Sequence, residues 1–178
     1  MHGVEGRRVL VGVSGSWSSL TALHRGADEA RRTGAVLVPV LAWAPPGGEL
    51  GYRRAVAPPS RETLRAQAAR RLLAAVDDAF GPTGPGVPWE GLVVRGAPGP
   101  ALVDCADAAG DVLVIGAGRR GGLRHLLFGS VARYCVAHAD CPVLAVPPSP
   151  LQRELTSVHR RIGRLLPLDA RELTEGRA

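Results

Sequence analysis

The 178 residues carry 46% hydrophobic side chains but only 4% aromatics, enough for one domain with a core of Val, Leu and Ala, and too apolar for a wholly disordered chain. All 22 basic residues are Arg and the net charge is +6, a bias of composition that without a basic aromatic strand or zinc-finger spacing argues against nucleic acid as the partner. The longest apolar stretch, residues 35–46, is too short to span a bilayer, and no apolar segment of signal-peptide type follows the first arginines, so we expect a cytoplasmic protein away from membranes.

Strand-like and helical patterns alternate from the start. "RRVLVGV" (7–13) is a near-continuous apolar run, broken by "SGSWSS", whose serines suit a helix start. From Ser18 to Thr33, Leu20, Leu23, Ala27 and Ala30 mark one helical face, and Gly34 closes it. "AVLVPVLAW" (35–43) is the second strand, and Pro39 within it, lacking a ladder donor, predicts an edge position or a bulge. The Pro/Gly-rich stretch 44–60 reads as a mobile loop, and a long helix then starts near Ser60 or Arg61 and stops at Gly81-Pro82.

"WEGLVVRG" (89–96) is a third strand, "APGPALVDCADAAG" (97–110) a shorter helix closed by Gly110, and "DVLVIG" (111–116) a fourth strand. After the loop "GAGRRGGLRHLLFGSV" (116–131) come a helix in "SVARYCVAHAD" and a fifth strand in "CPVLAVP" (141–147). Strands apolar on both faces, alternating with helices, imply an α/β sandwich with a parallel sheet covered on both sides. Past Pro150, Leu151, Leu155, Val158, Ile162 and Leu165 form one stripe of an amphipathic tail helix, so the chain divides into a domain over 1–148 and a tail over 149–178.

The loop after the fourth strand carries the chemistry. Its glycines let backbone N–H groups approach a phosphate, Gly129-Ser130 stand where a helix begins, and Arg119, Arg120 and Arg124 add charged donors. A merely permissive surface loop is the alternative, and a Walker A loop is excluded because the chain has no Lys. No nucleophile–base–acid set appears, and His125 and His138 lack metal-ligand partners. Asp104 and Asp107 read as a solvated helix face, Cys105, Cys135 and Cys141 as buried free thiols, and Trp17, Trp43 and Trp89 as packing residues.

"RVLVGVSGSWSSLTAL", "RGAPGPALVDCADAAGDVLVIGAG" and "GRRGGLRHLLFGSVARYCVAHADCPVLAVP" together resemble the universal stress protein family over residues 7–147. The resemblance implies a five-stranded flavodoxin- or Rossmann-like sandwich with strand order 3-2-1-4-5, and a homodimer paired through the fifth strand, residues 141–147. It also implies binding of ATP, with Mg, through a G-x2-G-x9-G-[ST] loop, although one branch of the family binds no nucleotide. Carried over, Gly116 is the first glycine and Gly129-Ser130 the closing pair, followed by Val131; Arg119 stands where the second glycine belongs, with Gly118 and Arg120 beside it. Gly12, Val13 and Ala42 map to the backbone that frames the adenine, and Ser14 replaces the family's usual Asp. The resemblance thus implies a nucleotide-dependent regulator of the stress response. A scaffold that binds no nucleotide, or a slow ATPase or self-phosphorylating enzyme, are the alternatives.

Overall fold

The computed structural model describes residues 6–117, 131–147 and 149. Five strands, β1 (Arg8–Gly12), β2 (Val36–Trp43), β3 (Leu92–Arg95), β4 (Val112–Gly116) and β5 (Val143–Val146), form one parallel sheet in the order β3-β2-β1-β4-β5. Between them run α1 (Trp17–Thr33), α2 (Gly48–Arg54), α3 (Arg61–Phe80), α4 (Pro98–Cys105) and α5 (Val131–His138).

The period-two alternation of a strand divides the core in two. Val9 and Val11 of β1 and Val13 just past its end, with Leu37 and Leu41 of β2, face the helices α1 and α3. Leu10, Val38, Val40, Leu113 and Ile115 point the other way, against Leu102 of α4 and Cys135 of α5. Leu10, Leu37 and Leu113 are wholly buried, each stabilising by about 1.5–3 kcal/mol relative to exposure. Helices therefore cover both faces, as the apolar strands predict.

The helix ends follow their sequence signals. Ser16 caps α1 by accepting from the Ser19 N–H, Ser60 caps α3 by accepting from Thr63, and Gly34 closes α1 at φ 67°. Gly26 sits mid-helix for a packing reason: a Cβ there would clash with Val11 Cγ2. Its absence lets α1 settle close onto β1.

Several expectations are corrected. Pro39 is neither at an edge nor in a bulge: β2 lies between β1 and β3, and one register runs from the isolated bridge Leu37↔Trp89 to the ladder starting at Val40↔Leu92. Leu37 bonds toward β3 through both its N–H and its carbonyl, so Pro39, two residues on, turns its donorless nitrogen the same way. The ladder opens there and Trp89 is left outside the strand proper. The 44–60 stretch is not all loop, because it contains the seven-residue α2, entered through Gly47 at φ 73°. Glu49 ties α2 to the sheet through an ion pair with Arg95 at 2.5 Å, and the Arg95 guanidinium lies 6.0 Å from the Trp43 ring centre.

α4 ends at Cys105 rather than Gly110, so Asp107 is not part of a helix face. It pairs instead with Arg8 at 2.8 Å. Cys135 is buried, but Cys105 and Cys141 are only half-buried, and all three are free thiols. Burial pushes all three thiols up, away from the thiolate form, so none is a primed nucleophile. Trp17 is not a packing residue, being 76% exposed on the first turn of α1. His138 is exposed: its Nδ1 donates to the Tyr134 carbonyl at 2.8 Å and its ring stacks on Tyr134.

Candidate functional site

In a parallel sheet the carboxyl ends of the strands, where crossovers diverge, form the natural crevice for a ligand. Here β1 is the divide: α1 leads from it to β2 on one side, while β4 lies on the other. Gly12, Val13 and Ser14 leave the end of β1, and Gly116 ends β4 alongside. Val13 is held by donating to the Val40 carbonyl at 2.8 Å, which fixes the level at which the β1 loop departs.

Gly116 is required by contact rather than by torsion. A Cβ there would come within 2.6 Å of the Ser18 carbonyl oxygen and 2.8 Å of its carbonyl carbon. The end of β4 thus touches the backbone of the first turn of α1. Gly12 is tight too, but against Leu102 Cδ1 at 2.9 Å, the movable end of a side chain. Gly15 turns the chain into α1 at φ 74°, a conformation costly for any residue with a Cβ.

Three hydroxyls line this turn: Ser14 Oγ lies 2.9 Å from Ser16 Oγ, which lies 3.0 Å from Ser18 Oγ. They stand at the amino end of a 17-residue helix with no acidic residue in its first turn, an end that favours an anion. Ala42 lies one strand away, paired with Val94, and its side chain points to the α4 face, opposite to that of Leu41. Val131 opens α5 and is exposed. Gly118, Arg119, Arg120, Gly129 and Ser130 lie outside the described residues. Of the expected residues, the structure therefore brings Gly12, Val13, Ser14 and Gly116 together around the start of α1, with Ala42 on the neighbouring strand.

Sequence reasoning missed a groove between α1 and α3 that opens at Ser14 and Gly15. One lobe, of about 260 Å³, is floored by Leu41 and Ala75 and flanked by Arg71 and Asp78. The second, of about 410 Å³, lies between Trp17, Leu20 and Asp78. Its only sequence signal is the spacing of Arg71, Ala74, Ala75 and Asp78, two small residues between opposite charges on one helical stripe. Among the described residues no group of His, Cys, Asp and Glu could hold a metal ion, and no helix is long and apolar enough to cross a membrane.

At the opposite end of the sheet, Asp111 is fully buried. Arg8 Nε donates to its Oδ1 at 2.9 Å, while Arg8 Nη2 at 2.5 Å and the Ala108 N–H at 3.0 Å donate to Oδ2. The bond to Asp111, more than that to Asp107, raises the Arg8 pKa, and Arg8 in turn holds the Asp107 carboxyl below its usual range. This clamp joins the starts of β1 and β4, whose common register brings Val13 level with Gly116 at the far end.

Residues 6–147 match the universal stress protein family. The chain belongs to that family. It is 32% identical over 147 residues to a universal stress protein of Mycobacterium tuberculosis, an alignment covering 80% of this chain and 45% of that protein. To one of Mycolicibacterium smegmatis it is 33% identical over 145 residues, covering 79% and 45%. The chain thus spans less than half the length of these curated relatives. Among solved structures, a universal stress protein in complex with cAMP matches with a TM-score of 0.53 and 28% identity, over 81% of this chain and 98% of that one. A family member from Burkholderia pseudomallei matches at 0.56 and 24% identity, over 83% and 100%, and supports the shared fold.

Proposed function

We propose that this universal stress protein is a regulatory module that binds an adenine nucleotide, ATP included, at the carboxyl ends of β1 and β4 and acts as a homodimer in the stress response. The observation that carries the reading is the cAMP held by the relative of 28% identity, whose chain this one covers almost end to end. The local geometry supports it. The amino end of α1 offers backbone donors to a phosphate, and in this proposal Gly118, Arg119, Arg120, Gly129 and Ser130, which lie outside the described residues, are the contacting residues. Gly12, Val13 and Ala42 frame the base, and Ser14 offers a hydroxyl at the ribose side. Mg2+ would arrive on the phosphates, whose oxygens suit it.

β5 is the dimer strand in this proposal. It ends the sheet, and because Pro142 and Val146 bond toward β4, the intervening Val143 and Ala145 turn their N–H and carbonyl groups outward. Tyr134 and Val136 of α5 expose apolar surface, Val136 to 62%. The functional unit ends at residue 148. Ser14 favours a second reading, a scaffold that binds no nucleotide, since it brings no charge to the end of β1.

Mass spectrometry of the protein purified under native conditions separates the two. An adenine nucleotide released on denaturation, and lost in the Gly129→Val/Ser130→Ala double variant, supports the first reading. Nucleotide-free protein that gains no thermal stability in millimolar ATP supports the second.

A further inference from the structure

The α2 helix and the loop after it follow the carboxyl end of β2 and contribute nothing to the core. α2 buries none of its residues, and every residue from Arg53 to Thr63 is exposed. Leu50 is 71% exposed and Val56 fully so, the latter at a two-residue bend formed with Ala57. An apolar side chain at the apex of a bend encloses no small ligand. It can only enter an apolar medium or the pocket of a partner. The projection is nevertheless held in place. Glu49 ties the start of α2 to Arg95 of β3, and the Tyr52 hydroxyl donates to the Pro59 carbonyl at 2.8 Å, closing the bend. Pro58 and Pro59 fix their own φ, and Ser60 then caps α3. Much of the entropy of ordering the tip is therefore lost on folding rather than on contact.

The collar of this tip carries one sign of charge. Arg53, Arg54 and Arg61 are exposed, and none of the three guanidinium groups makes a hydrogen bond or ion pair among the described residues. No acidic residue stands between Glu49, already paired with Arg95, and Glu62. An apolar tip and a set of unpaired arginines are two signals that together hold a chain on an anionic bilayer, where either alone is marginal. Arginine stems lie along the acyl boundary while their guanidinium groups reach the phosphates. A protein partner would have to set carboxylates in register with arginines spread over nine positions of chain. A lipid surface needs no such register.

We propose that residues 50–61 form a peripheral contact with an anionic lipid surface: Leu50 and Val56 enter the headgroup boundary, and Arg53, Arg54 and Arg61 pair with lipid phosphates. The tip lies on the bilayer and does not cross it. The contact is reversible and weakens as salt screens the arginines. It is independent of the nucleotide reading.

The test is flotation of the full chain with vesicles of mixed phosphatidylcholine and phosphatidylglycerol, and with vesicles of phosphatidylcholine alone. The wild type should float with the mixed vesicles and stay behind with the neutral ones. Replacing Arg53, Arg54 and Arg61 together by Gln should weaken the partition about a hundredfold, from about fivefold for each charge. Val56→Ser should weaken it about tenfold. All four side chains are exposed, so these variants should unfold at the wild-type temperature. Replacing the same three arginines by Lys should keep the binding, because a lipid surface reads their charge. A wild type that binds neither vesicle overturns the proposal. Binding that survives both in Val56→Ser and in the glutamine variant overturns it too, since the contact then lies elsewhere in the chain. Loss of binding in the lysine variant would show that the shape of the guanidinium is read, as a protein carboxylate reads it, and also overturns the lipid contact.

Discussion

Replacing Gly116 by Ala should destabilise the fold and disturb the site together. The added Cβ would lie 2.6 Å from the Ser18 carbonyl oxygen and 2.8 Å from its carbonyl carbon, both backbone atoms of the first turn of α1. Backbone cannot rotate aside as a side chain does, so either α1 shifts from the end of β4 or the strand bends. Overpacking of this kind costs about 1–3 kcal/mol. With no compliant neighbour the upper half of that range applies, a fall of about 6–9 °C in Tm for a domain of this size.

Gly12→Ala is the internal control. Its Cβ would meet Leu102 Cδ1 at 2.9 Å and Ile115 Cγ2 at 3.3 Å, side-chain ends that can adjust, and the loss should stay below about 1 kcal/mol. Gly15→Ala meets nothing within 4 Å but is forced to φ +74°, at a cost of about 1–2 kcal/mol. Thermal and urea unfolding of the three variants should rank Gly116→Ala as the least stable. A Gly116→Ala protein as stable as Gly12→Ala would refute the claim that β4 and α1 meet through backbone at this point.

Asp111→Ala should cost about 1–3 kcal/mol in urea unfolding, because it leaves Arg8 Nε and the Ala108 N–H without their acceptor while Arg8 keeps Asp107; no measurable loss would show that solvent satisfies those donors. The depressed Asp107 carboxyl contributes stability that is complete above its unfolded pKa, near 4, and is lost as pH falls through its lower folded value. The acid limb of a pH–stability profile should therefore flatten in Asp107→Asn below about pH 4, and identical limbs would contradict the pairing with Arg8. Ala145→Pro removes an outward N–H from β5 without breaking its ladder to β4; if the proposed β5 pairing holds, sedimentation should show a dimer for the wild type and a monomer for the variant.

Much of the fold was legible because each element carries its own signal. Strands apolar on both faces, helices with one apolar stripe, and the stops at Gly34 and Gly81 make the alternation readable from the residues alone. What escaped depends on partners distant in sequence. Pro39 reads locally as an edge residue, yet it is accommodated by one open rung against β3 while β2 stays interior. Asp107 looks like a solvated helix carboxylate, and Asp111 like no more than the first residue of a strand, until the fold brings Arg8 to them across about 100 positions of chain. The site was half legible: the glycines at the ends of β1 and β4 stand out as turn signals, whereas the α1–α3 groove needs two helices that only the sheet brings side by side. The α2 helix escaped because it buries none of its residues and so leaves no apolar period to read.

Isothermal titration of the full chain with Mg-ATP and with cAMP tests the central claim most directly. Saturable binding at one site per chain is expected, weakened by Gly116→Ala and accompanied by a rise in Tm. No heat and no thermal shift at millimolar concentrations of either nucleotide would contradict it.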